Sequence, residues 1–263
     1  MKERKFCNNL SLSELTFGTM RFKFNNDAEA EKLIIKTIDL GINTFHSSFE
    51  YDSHQYFCKI FSKVKKLYPS TNFHHIVKLG EPHFDSNFFD PKRFERIIDS
   101  QLIELGTDRI DIVQWLLRHT PNNNKYRLKI LEESFLEFNE TVDRLKKIGK
   151  INCIGSHPYT LEFAKKCEDL CDIECWITYL NLVEVEWYPL LKNPFLAIRP
   201  FAGGGLLKNE QIWNFLKKHD FFGDTNKLKM CSTFPLLHPN VKTIITSIKN
   251  LDQLIELENI FEN

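Results

Sequence analysis

Short apolar runs alternate along this chain with longer segments in which apolar residues recur at helical spacing, and the alternation repeats eight times. The runs begin near Leu15, Asn43, His75, Ile110, Ile151, Glu174, Phe195 and Thr243. Each is followed by a helical pattern or by a loop long enough to hold a helix, which is the signature of repeated βα units and a parallel sheet. No change of composition and no Pro/Gly/Ser linker divides the units. Closing eight of them takes about 250 residues, so the pattern predicts one α/β domain, a (β/α)8 TIM barrel, over residues 1–263.

Several helices carry their own start and stop signals. Ala30, Leu33, Ile34 and Ile38 make one face of the first helix, and Gly41 ends it, since glycine tolerates the left-handed backbone of a helix stop. The third has Asp90 as N-cap and Pro91 at its first position. Its inward face is Phe94, Ile97, Ile98, Leu102 and Leu105, and Gly106 stops it; Gly149 ends a later helix in the same way. Residues 121–124 read as a polar loop and 126–138 as an extra helical piece partly covering the barrel mouth. Residues 222–238 read as an irregular stretch that packs as a helix on the barrel side.

Composition narrows the function classes. Thirty-five basic residues balance 35 acidic ones, without the basic runs of a nucleic-acid or membrane surface. The N-terminus is charged and lacks a signal peptide's apolar stretch, and no apolar run is long enough to span a bilayer. A cytoplasmic protein with a small-molecule substrate is expected, with a protein partner left open. The 7 cysteines include no C-x-x-C pair, so reduced thiols are expected. Cys167, Cys171 and Cys175 follow at four-residue steps, but ordinary burial outweighs metal binding there, and no metal is expected.

In such a barrel the chemistry belongs at the C-terminal ends of the strands. Five segments there carry a resemblance. Gly18-Thr19-Met20 ends the first strand, and residues 41–51 run from Gly41 through His46 to Tyr51. Ile76-Val77-Lys78 ends the third and Ile154-Gly155-Ser156 the fifth. Arg199-Pro200-Phe201-Ala202-Gly203-Gly204-Gly205-Leu206-Leu207 follows the seventh. Together with residues 243–254, which include Ser247 and Lys249, the chain resembles the aldo-keto reductase family over nearly its whole length.

The resemblance implies reduction of a carbonyl at the expense of NADPH. A tyrosine donates the proton, aided by a lysine that an aspartate holds, and a histidine of the fourth strand orients the substrate. Tyr51 and Lys78 match the first two. His46 stands at the aspartate position and supplies no negative charge, so Lys78 should titrate low. Leu116 stands at the histidine position. His119, three residues on, can take that place only through a β-bulge, and Glu50 is the other candidate compensator. For NADP(H), the resemblance points to Gly18, Thr19, Met20, Ser156, Asn181, Arg199, Pro200 and Phe201. Backbone N–H groups of residues 203–206, among them Gly203, Gly204 and Leu206, would cradle the pyrophosphate, with Ser247 and Lys249 at a helix start for the 2′-phosphate.

Three alternatives remain at this level. The barrel can be an oxidoreductase acting on a small carbonyl, alcohol or sugar-like substrate. With Lys78 neutral, it can instead catalyse a redox-coupled elimination or epimerisation. It can also have lost reductase turnover and serve as a nucleotide-binding or partner subunit. Phe84, Phe88 and Phe89 suggest an apolar wall or lid. A metal reaction through His46, His74, His75 or His119 is disfavoured, since adjacent strand residues point to opposite faces.

Overall fold

The computed structural model describes residues 1–120, 123–219 and 226–261. A short antiparallel pair, β1 (Glu3–Lys5) and β2 (Ser11–Ser13), precedes eight parallel strands. These are β3 (Leu15–Gly18), β4 (Thr44–Ser47), β5 (His74–Gly80), β6 (Ile110–Leu116), β7 (Ile151–Ser156), β8 (Cys175–Tyr179), β9 (Phe195–Ile198) and β10 (Val241–Ser247). They close in chain order, β10 pairing with β3. The expected (β/α)8 architecture is therefore present. Its starts agree with the apolar runs within two residues, because a strand buried on both faces reads as a short continuous apolar run.

Two apolar layers follow from strand alternation. Residues facing out, such as Phe17, Phe45, Val77, Val113, Trp115, Ile154 and Trp176, pack with the inner faces of the helices. Residues facing in, such as Ile76, Ile112, Cys153, Cys175, Ile177, Leu196 and Ile245, fill the barrel's lower interior. Leu10 and Leu12 from the N-terminal hairpin join that inner cluster, so the hairpin closes the floor opposite the site. Phe45, Phe57, Phe61 and Phe73 stack and tilt against one another at centroid distances of 4.9–6.1 Å, each pair adding about 0.5–1.5 kcal/mol beyond its buried area.

The helices are α1 (Asp27–Asp39), α2 (His54–Val64), α3 (Pro91–Leu105), α4 (Asn124–Lys147), α5 (Leu161–Leu170), α6 (Gly205–Lys208), α7 (Glu210–Lys218), α8 (Lys227–Thr233) and α9 (Leu251–Phe261). The Asp90 side chain caps α3 by accepting from Arg93 N–H, with Pro91 at its first turn and Gly106 left-handed at φ 61°. Among the described residues, no helix is long and apolar enough to cross a membrane.

Three expectations change here. The helical piece over residues 126–138 is no separate cover but the first half of α4, a single helix of 24 residues, because no Gly or Pro interrupts its inward face. Within residues 222–238, the structure has α8 and a single turn at Pro235–Leu237; 222–225 lie outside the described residues, as do 121 and 122 of the polar loop. Finally, Cys7 and Cys153 form a disulfide across 146 residues of chain, against the reduced thiols expected. Sequence separation hid the pair, since only the folding of the hairpin under the barrel brings them together. Cys167, Cys171 and Cys175 are buried free thiols.

Candidate active site

A cavity of about 850 Å³ opens at the C-terminal ends of the strands. Tyr51, Lys78 and His46 all line it, as do Gly18, Met20, Arg199, Pro200, Phe201, Gly203, Gly204, Ser247 and Lys249. Thr19, Ser156, Asn181 and Leu206 do not. Ser156 is fully buried on the outward face of β7, in register with Trp115 and Trp176. Its neighbour His157 takes the wall position instead. Asn181 is consumed locally, donating to Glu184 and to the Arg199 carbonyl and accepting from the N–H groups of Val183 and Glu184.

Tyr51 leaves β4 on a turn that is tied down twice. Ser48 Oγ donates to the Lys78 carbonyl at 2.8 Å and Ser53 Oγ to the Thr19 carbonyl at 2.7 Å. These bonds hold the loop onto the ends of β5 and β3, so that Lys78 Nζ lies 4.6 Å from the centre of the Tyr51 ring. Burial raises the Tyr51 phenol well above its usual range, and the Glu50 charge adds to this.

Lys78 does not pair with His46. Its Nζ is 3.1 Å from Glu50 Oε2, and that carboxylate also takes Arg118 at 2.5 Å. Arg118 is buried and donates to His83 Nε2 at 2.9 Å. Gly80 makes the room: a Cβ there would stand 3.0 Å from Arg118 Cδ. Burial lowers the Lys78 pKa while Glu50 raises it. The anionic partner missing from the strand is thus supplied by the residue before Tyr51.

His46 instead donates from Nε2 to Gln114 Oε1 at 2.8 Å, and Gln114 Nε2 donates to the Ile177 carbonyl at 3.2 Å. Burial, with Lys78 nearby, brings the His46 pKa down to about 4, so the ring is neutral at pH 7. Leu116, two residues beyond Gln114, lines the cavity with an apolar side chain. The bulge that would bring His119 to this place is absent: β6 pairs with β5 in unbroken register from Ile112 to Leu116. His119 stacks on Tyr126 at 4.7 Å. Phe89 belongs to the core with Phe94 and Phe138, while Phe84 and Phe88 are exposed, and none of the three lines the cavity.

At the other end of the cavity the donors suit an anion. Arg21, Arg199, Lys208 and Lys249 line it. Lys249 precedes α9, whose Asn250 accepts from Gln253 N–H. Gly203 and Gly204 adopt φ 71° and 92°, and a Cβ on Gly204 or Gly205 would meet nothing within 4 Å, so the loop lies open to a ligand. The N–H cradle expected there is only partly available. Gly204 and Leu206 donate to the Phe201 carbonyl and Gly205 to that of Ala202, as a tight turn requires. The residues therefore fit a phosphate-bearing nucleotide through side-chain cations and Ser247 more than through backbone donors. Gln114, His157, Tyr179, Arg21, Lys208 and Gln253 are wall residues that sequence reasoning missed. Gln114 had a signal in its parity with Leu116 on β6; the others had none.

The aldo/keto reductase family model matches residues 14–262. The chain belongs to the aldo/keto reductase family. No curated protein matches it. Among solved structures it is similar to the holo form of aldo-keto reductase AKR11C1 from Bacillus halodurans, with 20% identity, 100% of this chain and 91% of that one covered, and TM-score 0.80. It is also similar to a thermostable aldo-keto reductase, Tm1743, in complex with the inhibitor epalrestat. There the identity is 16%, the coverage 100% and 95%, and the TM-score 0.75. The family and the barrel make an oxidoreductase the broad functional class.

Proposed function

We propose that this aldo/keto reductase is an NADP(H)-dependent oxidoreductase of small carbonyl, alcohol or sugar-like substrates, with Tyr51 as proton donor and Glu50 in place of the usual strand aspartate. The observation that carries the reading is the 3.1 Å contact of Lys78 with Glu50, beside the Tyr51 ring. When bound, the nucleotide supplies or accepts the hydride.

The rest is the work of the chain. A phenol raised by burial stays protonated at working pH and gives up its proton only when the resulting charge is met by a cation. Lys78 provides that cation, and Glu50 keeps it charged in a desolvated setting. His46, neutral, fixes the Gln114 amide rather than Lys78, and Gln114 and His157 are the polar groups left to orient a substrate where Leu116 replaces the histidine. Arg199, Lys208, Ser247 and Lys249 would hold the phosphates. A lysine already paired with a carboxylate removes the motive for the elimination or epimerisation chemistry that a neutral lysine would suggest.

Titration of the purified protein with NADPH and NADH, followed by fluorescence, tests the reading together with turnover of a carbonyl panel. Binding and turnover abolished by Tyr51→Phe and Lys78→Met are expected. Nucleotide binding with no turnover of any substrate would favour a binding subunit, and no binding of either nucleotide would overturn both.

A further inference from the structure

The two oxygens of Glu50 are unequally used. Oε2 meets Lys78 Nζ at 3.1 Å and the Arg118 guanidinium at 2.5 Å, while Oε1 is buried and accepts no hydrogen bond. An unmet acceptor on a buried carboxylate is costly to leave so. His83 Nε2 lies 3.7 Å from this oxygen, just beyond hydrogen-bond range.

What keeps His83 from filling the vacancy is its tautomer. Arginine carries donors and no acceptor, so the 2.9 Å contact of Arg118 Nη1 with His83 Nε2 makes Nε2 an acceptor and places the proton of the neutral ring on Nδ1. Nδ1 faces Asp85 Oδ1 at 4.0 Å. The ring is in contact with solvent, its side chain 30% exposed, and Phe84 stands edge-on to it at 5.0 Å. Four charged groups surround it: Glu50 from the turn after β4, Arg118 from just past β6, Asp85 from its own loop and Arg93 from α3. Burial, then Arg118, brings the His83 pKa below its usual value, with Arg93 acting the same way and Glu50 and Asp85 opposing.

We propose that His83 is a positioning residue for the Lys78–Glu50 pair, and that protonation switches the partner of its Nε2 from Arg118 to Glu50 Oε1. A proton from water binds Nε2, the Arg118 Nη1–H bond to Nε2 is lost, and an Nε2–H bond to Oε1 forms. Arg118 keeps Oε2 through its other amino group. The neutral state sets Lys78 and Arg118 against one carboxylate beside Tyr51, and the protonated state adds a third cation. A more positive setting favours the phenolate that Tyr51 becomes on giving up its proton, so carbonyl reduction should be faster on the acid side of the His83 titration. This effect on turnover rests on the reductase reading; the exchange of partners does not.

Ring-nitrogen NMR of protein isotopically labelled at histidine, between about pH 8 and 4.5, tests the exchange, with His83→Gln assigning the signal. At the alkaline end the unsubstituted protein should show the Nδ1–H tautomer, a readout that needs no variant to fold. Glu50→Gln should lower the His83 pKa, and Arg118→Met should raise it, each by roughly half a unit or more. In parallel, kcat for reduction of a carbonyl panel should rise about three- to ten-fold across the titration, and His83→Gln should remove that inflection. An Nε2–H tautomer at the alkaline end, no proton uptake by the ring in this range, or a pKa indifferent to both substitutions would overturn the exchange. An inflection that persists in His83→Gln would overturn the positioning role. If the NMR shifts follow but no carbonyl turns over, the exchange stands and the reductase reading fails.

Discussion

Glu50 Oε2 lies 3.1 Å from Lys78 Nζ and 2.5 Å from an Arg118 amino group, so one carboxylate separates a half-buried lysine from a buried arginine. The arrangement replaces a strand aspartate with a loop glutamate and couples the lysine to the residue next to Tyr51. It also ties the charge state of the site to a second strand end through Arg118.

Glu50→Gln should therefore do more than remove a hydrogen-bond partner. Burial already lowers the Lys78 pKa and Glu50 opposes that shift, so the amide should let it fall further. Turnover that needs the ammonium should then lose its alkaline limb at lower pH, and kcat should drop roughly ten- to hundred-fold, less than the 10²–10⁴ of losing an acid outright. Glu50→Asp should recover part of both. A pH profile of kcat unchanged by Glu50→Gln would sink this role for Glu50.

At the opposite end of the cavity, Lys249 precedes α9 and its N–H donates to Gln253 Oε1 at 3.0 Å, leaving the ammonium as the feature able to read a 2′-phosphate. Lys249→Ala should weaken NADPH by about 1.5–3 kcal/mol, the scale of a hydrogen bond to a charged group, and leave NADH nearly as it was. Equal weakening of the two nucleotides, measured by fluorescence titration, would refute the assignment.

The barrel was legible from the sequence because its strands are buried on both faces and its helices carry end signals such as Asp90-Pro91 and Gly106. Tyr51, Lys78 and His46 were legible as cavity residues for the same reason: each lies on or just beyond a strand end. Their pairings were not. Whether Lys78 meets His46 or Glu50 depends on how the turn after β4 folds back, and Ser48 and Ser53 decide that through bonds to main-chain carbonyls of other strands. The surface expected to hold the pyrophosphate depended likewise on which carbonyls the glycine turn consumed.

The Cys7–Cys153 disulfide joins the hairpin that closes the barrel floor to β7. Closing a loop of 146 residues restricts the unfolded chain, so its reduction should cost about 2–4 kcal/mol. Thermal melting with and without a reductant, alongside Cys7→Ser, measures this. The reduced protein and the variant should melt at the same lower temperature. Alkylation of Cys7 in the untreated protein would show instead that the bond does not form.

Acid should destabilise the fold in a defined window. His46, His75 and His157 are buried and neutral, each with a pKa brought down to about 4 chiefly by burial, against about 6.5 in the unfolded chain. A depressed histidine pKa means that the unfolded state binds more protons between those values. Stability is then fully present above pH about 6.5 and falls as the pH drops toward 4, by roughly 1.4 kcal/mol per pH unit for each ring in mid-window. The His75 ring packs between Phe45 and Phe61, and its Nδ1 has no hydrogen-bond partner. His75→Phe should therefore fold, lose little at pH 7.5, and lower the slope of stability against pH by the share of one ring, roughly 1.4 kcal/mol per pH unit in mid-window. Urea midpoints at pH 7.5, 6 and 5 for both proteins check this, and a flat profile in the unsubstituted chain would mean that the three rings are not held neutral by burial.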